Sequence, residues 1–186
     1  EEFIKLANDL AGQLALGKAA PTAEELLAQP SPSKPGTTLA QQRDELMNRI
    51  REVFNIGRFA RLDGPCGGYS HNSGTVSGVL VSVQGGTDEV AKDVCMHIAA
   101  MRPAALTVQE LAPEEVARER AILREQALKE GKPENIVDKM VEGRLRSFYA
   151  EKVLLEQPFV KEPKLTVGKL AQQHGISSSD LRKLAA

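Results

Sequence analysis

The sequence predicts an α+β fold: two small αβ subdomains with antiparallel sheets, the second interrupted by a projecting antiparallel helical hairpin. Three observations carry this. Apolar residues recur at helical spacing near both ends of the chain and again after Thr87. Between these stretches "TVSGVLVSV", residues 75–83, alternates as a strand does. Gly131 and Pro133 then separate two long helical patterns so closely that the helices on either side must run antiparallel.

Taken in order, Phe3, Leu6, Leu10 and Leu14 mark an amphipathic helix over residues 1–16 that ends at Gly17. Thr22 and Glu25 have the spacing of a capping box for a short second helix. The prolines of "QPSPSKPGT" make residues 29–37 a loop. A third helix follows near 38–52, with Leu39, Leu46, Ile50 and Val53 inward. "FNIGRFARL", from Phe54, reads as a strand and "DGPCGGYSHNSG" as turns. In the next strand Val79, Val81 and Val83 share one face, with Val76 and Leu80 on the other.

Thr87 caps a helix with Val90, Val94, Ile98 and Met101 inward, and Pro103 ends it. Pro113 opens a helix over Glu114 to Glu130 whose apolar seam, Val116, Leu123 and Ala127, is as narrow as that of a two-helix coil. The returning arm carries Val137, Val141, Leu145 and Phe148. "LLEQPFVKEP" is a strand-like return to the core, and Thr166 caps a short helix closed by Gly175. These readings divide the chain into an N-terminal helical segment (1–52), the αβ part of the first subdomain (53–103), and a second subdomain (104–186) holding the hairpin 114–152.

Composition narrows the function. With 41% hydrophobic residues the chain of 186 residues has material for a real core, while 4% aromatics and no Trp leave little for stacking on bases. The 24 Lys and Arg against 25 Asp and Glu give no cationic excess for phosphates or anionic lipid. No apolar run approaches a membrane span, and no basic leader precedes a greasy one. Cys66 and Cys95 lack metal or disulfide-framework spacing and fit a reducing compartment.

Candidate chemistry is sparse. Cys95 and His97 lie two positions apart on one helix, hence roughly 200° apart, and cannot act as nucleophile and base together. Cys95 reads as core, and His71 and His174 stand in turn-like contexts. No catalytic residue, cofactor or metal is expected. The glycines of "GPCGGYSHNSG" and "VQGGTDE" match neither phosphate-binding pattern. Two rival readings are weighed: a helix-turn-helix-like nucleic-acid binder using residues 166–185, with Arg182 and Lys183 as its cations, and a hydrolase using Cys66 with His71.

Four phrases resemble the elongation factor Ts family, in that family's order: "GVLVSVQGG", "VCMHIAAMRP", "GKPENIVDKMVEGRLRSFYAEKVLLEQPFV" and "TVGKLAQQHG". The opening "EEFIKLANDLAGQLAL" resembles the helix that follows the family's T-D-F-V turn. The resemblance implies a guanine-nucleotide exchange factor for elongation factor Tu, not an enzyme of covalent chemistry, working in the cytoplasm or in an organelle matrix or stroma. It implies a partner surface at Ser77, Gly78, Val79 and His97, Phe159 as an apolar plug where the hairpin re-enters the core, and allows a homodimer. Ser77 stands where the family commonly has an aliphatic residue. Because the chain starts after that turn, and "ISSSDLRKLAA" replaces the family's next strand, binding with weak exchange is expected. Neither nucleic acid nor membrane is an expected partner.

Overall fold

The computed structural model describes residues 1–71, 77–131, 133–176 and, by backbone alone, 182–185. They form two compact units, Glu1–Arg61 and Leu62–Ala186.

In the first unit α1 (Glu2–Leu16), α2 (Ala23–Leu27) and α3 (Leu39–Ile50) enclose Ala20, Leu26, Leu27 and Leu39, with Leu10, Leu14 and Ile56 against them. Each later helix begins at a threonine whose hydroxyl oxygen accepts a free backbone N–H: Glu25 onto Thr22, and Gln41 onto Thr38. At Thr38 the Gln41 side chain also accepts the cap's own N–H, completing the box. The proline-rich loop is pinned from beneath: Ser31 Oγ donates to Gln42 Oε1 at 2.7 Å, and Gln42 Nε2 donates to Asp9 Oδ2 at 2.7 Å. All three residues are buried, and among the described residues no buried side-chain nitrogen or oxygen lacks a hydrogen-bond partner.

Two expectations fail here. Ile50 and Val53 are exposed, because α3 ends at Ile50 and Arg51 turns into the left-handed region at φ 58°, which takes Val53 out of helical phase. "FNIGRFARL" pairs with no strand among the described residues. It lies as an arm instead: Ile56 packs on the apolar cluster, and the Arg61 guanidinium donates to the Leu14 and Gly17 carbonyls at the end of α1.

The second unit holds two antiparallel sheets. β1 (Cys66–His71) pairs with β2 (Ser77–Ser82), placing Tyr69 opposite Val79, and β2 pairs on its other edge with β5 (Arg182–Ala185). β1 arises where turns are expected. Its Gly67 is there for proximity: an added Cβ would fall 2.6 Å from the Ala91 Cβ, so glycine lets α4 (Asp88–Met101) lie close on the sheet. Val79, Val81 and Val83 face that helix as expected, packed with Val90, Val94, Cys95 and Ile98. Met101 does not turn inward; it is exposed in the last helical residue before Arg102, at φ 45°, and Pro103 end α4. Val76 lies outside the described residues.

The hairpin is α5 (Pro113–Lys129) and α6 (Glu134–Lys152). Leu123, Ala127, Val137, Val141 and Leu145 form its buried seam. Arg120 pairs with Glu142 across it, and Arg124 with Asp138. At the base the Ala104 amide donates to Lys152 O at 2.8 Å and the Leu154 amide to Ala105 O at 2.9 Å. β3 (Pro158–Phe159) and β4 (Glu162–Thr166) make the second sheet, and α7 (Val167–Gln173) follows, capped by Thr166. Phe159 is buried in the main core.

Among the described residues the second helix of the helix-turn-helix reading does not form. Residues 182–185 are a strand, for which the open edge of β2 supplies backbone partners; residues 177–181 lie outside the described set. Among the described residues no helix is long and apolar enough to cross a membrane.

Candidate partner-binding surface

The strand alternation of β2 decides what Ser77, Gly78 and Val79 can offer. Ser77 and Val79 point toward the α4 side, and Gly78 toward the other. Val79 is buried at 3% exposure, so its side chain belongs to the core. Ser77 is half-buried and Gly78 exposed. A Cβ added at Gly78 would meet nothing within 4 Å, so the backbone there is open to close approach from outside.

His97 sits elsewhere. It is fully buried, with its ring 5.9 Å from that of Phe159. The Val160 amide donates to Nδ1 at 3.3 Å, and Nε2 lies 2.9 Å from Gln157 Oε1. A backbone N–H can only donate, so Nδ1 is the acceptor and the ring proton is on Nε2, donated to Gln157. Burial holds the imidazole below its ordinary pKa, opposed by the bond to Gln157. The partners of His97 thus lie in the segment 157–160 and not in β2. Of the four residues singled out in the sequence, Ser77 and Gly78 offer surface while Val79 and His97 lie beneath it.

The other reactive side chains are not assembled. Cys95 is buried and burial pushes its thiol up to about 11, the wrong direction for a nucleophile. Cys66 is exposed, but His71 stands five residues on in the same strand and so points to the opposite face, with Nδ1 2.9 Å from the Tyr69 hydroxyl. That removes the hydrolase reading. Among the described residues no group of three or more His, Cys, Asp or Glu side chains could hold a metal ion.

Sequence reasoning missed Gln157. It is fully buried and binds both His97 and the Glu151 carbonyl. One uncharged amide set between "LLE" and "PFV" was the available signal.

Comparison with known proteins bears on all of these parts together. The family model described as Elongation factor TS matches residues 1–185. The chain belongs to the elongation factor Ts family. Among its relatives, the Elongation factor Ts of Methylococcus capsulatus is 46% identical over 180 residues, covering 95% of this chain and 60% of that protein. That of Thioalkalivibrio sulfidiphilus is 40% identical over 179 residues, 94% of this chain and 59% of the relative. That of Aquifex aeolicus is 43% identical over 160 residues, 82% of this chain and 55% of the relative. The chain therefore spans between 55% and 60% of the length of these elongation factor Ts proteins.

Proposed function

We propose that this chain serves translation elongation as a guanine-nucleotide exchange factor for elongation factor Tu in the cytoplasm, releasing GDP by binding the GTPase and catalysing no covalent step. The match to one family model along residues 1–185 carries this reading. The physical mechanism is linkage: a protein that binds the GTPase more tightly when nucleotide is absent must weaken nucleotide binding by the same factor. Such a mechanism calls for an accessible, preformed surface and no reaction centre. Ser77 and Gly78 at the start of β2 provide accessible backbone and Val79 anchors the strand in the core, while His97 holds the turn at residues 157–160 from within. A homodimer has no supporting observation among the described residues.

The test is release of labelled GDP from elongation factor Tu with and without the chain, beside a direct binding measurement. Gly78→Arg is the informative variant, because open space around Gly78 lets the chain fold with the larger residue. Its affinity for the GTPase is expected to fall about tenfold or more, the loss of an interface hot spot. Unchanged affinity removes Gly78 from the surface. Binding without faster GDP release keeps the partner and removes the exchange activity.

A further inference from the structure

Every polar group of Gln157 is engaged in hydrogen bonds. Its side-chain Nε2 donates to Glu151 O at 2.7 Å, and Oε1 accepts the proton on His97 Nε2 at 2.9 Å. Its backbone N–H donates to Val153 O at 3.0 Å and to Leu154 O at 3.2 Å, and its carbonyl accepts the Val167 amide at 3.0 Å. These partners belong to different elements: Glu151 to the end of α6, His97 to α4, and Val167 to the first turn of α7. Glu151 O is one of the carbonyls that a helix leaves unsatisfied at its C-terminus, so the amide caps α6 with one end while holding α4 with the other.

The segment 104–106 is fastened to the hairpin base by backbone bonds, from the Ala104 and Ala105 amides to Lys152 O and from the Leu154 and Leu155 amides to Ala105 O and Leu106 O, and it joins α4 through Arg102 and Pro103. A two-residue junction of this kind lets the hairpin and its base swing together on α4. Leu106 and Leu154 pack the base into the core, but apolar contact is non-directional and does not by itself fix an angle. The bond from Glu151 through Gln157 to His97 adds a directional tie from the end of α6 to α4 itself, and His97 extends it to the Val160 amide.

We infer that Gln157 is a positioning residue that fixes the angle of the α5–α6 hairpin on α4, so that a partner gripping both the hairpin and the αβ core meets one preformed surface. Its second half rests on the function proposed above. Preorganisation of this kind saves ordering entropy at binding, and its loss weakens affinity without removing any contact residue.

The experiment uses the exposed Cys66 and a cysteine introduced by Gln126→Cys, exposed on α5, as spin-label sites for pulsed electron resonance. The parent is expected to give one narrow distance distribution and Gln157→Leu a broad one. Gln157→Glu separates the two ends of the amide: its carboxylate still accepts from His97 but cannot donate to Glu151 O. It should keep the slowly exchanging His97 Nε2–H resonance, which Gln157→Leu loses, and still broaden the distances. A folded Gln157→Leu protein with an unchanged distribution overturns the inference. If that variant does not fold, hydrogen exchange of the unmodified chain decides: the Val160 and Val167 amides should open together, and independent opening overturns it. Affinity of Gln157→Leu for elongation factor Tu should fall about tenfold, equal to ~1.4 kcal/mol. Broadened distances with unchanged affinity overturn the preformed-surface half alone, whereas a parent chain that fails to bind overturns the proposed function and leaves the distance result standing.

Discussion

The sheet-and-α4 core and the α5–α6 hairpin belong to one unit but bury their apolar residues in different ways. The core gathers fourteen buried residues among those described, from β2, α4, the hairpin base, β3, α7 and Ile176, so each is covered from several directions. The hairpin buries five of the described residues in a single row between its two helices. A closely packed cluster resists loss of any member because its neighbours cannot collapse into the gap, whereas a single row relaxes more easily. The core therefore fixes shape, while the hairpin keeps its own geometry cheaply and takes its direction from its base.

Substitutions sharpen that contrast. Ile98→Ala, in the core, should cost about 4 kcal/mol, near the upper end for such deletions, and lower the urea midpoint of the whole second unit. Leu145→Ala, in the seam, should cost about 2–3 kcal/mol and raise hydrogen exchange mainly in α5 and α6. Equal effects on both regions would erase the distinction drawn between them.

Acid should act on the core side. His97 has a folded pKa held below its unfolded value of 6.5 by burial. Its contribution to stability is therefore full above about 6.5, where both states are neutral, and is lost as pH falls from there toward the folded value, because the unfolded state takes up the proton first. Protonation would also place a donor on Nδ1 against the Val160 N–H. Unfolding followed from pH 7.5 to 5.5 should show falling stability that His97→Gln flattens; an identical slope in the variant would exclude His97 as the source.

The smallest expected effect is a gain. Gly143 lies exposed in the middle of α6, where an added Cβ meets nothing within 4 Å. Gly143→Ala should stabilise the helix by about 0.5–1 kcal/mol, measured as slower exchange along α6. A destabilised hairpin would mean that this face is less open than its geometry indicates.

The helices were legible because each carries its own signal. Thr22, Thr38, Thr87 and Thr166 all accept backbone N–H groups at helix starts, and the spacing of Val137, Val141 and Leu145 names the hairpin seam outright. Strands were harder, since their partners are distant in sequence. β1 is hidden in glycines whose purpose, at Gly67, is contact with Ala91 on another element, and β5 forms from residues whose local pattern suggested helix. Of the residues singled out for a partner surface, Gly78 lies exposed, whereas the burial of His97 under the Phe159–Val160 turn depends on packing between α4 and residues sixty positions away, which no local pattern carries. Gln157 was missed for the same reason, as its meaning lies in three elements it touches rather than in its neighbours along the chain.

The single-file seam of α5 and α6 has one more consequence, for reach. Because neighbouring turns of the hairpin depend little on one another, equal lengths taken from both arms shift its tip without touching what lies below. Seven residues removed from each arm would restore the repeat and draw the tip back by about 10 Å. How far this molecule extends is thus a dimension that evolution or an engineer could tune independently of the body that carries it.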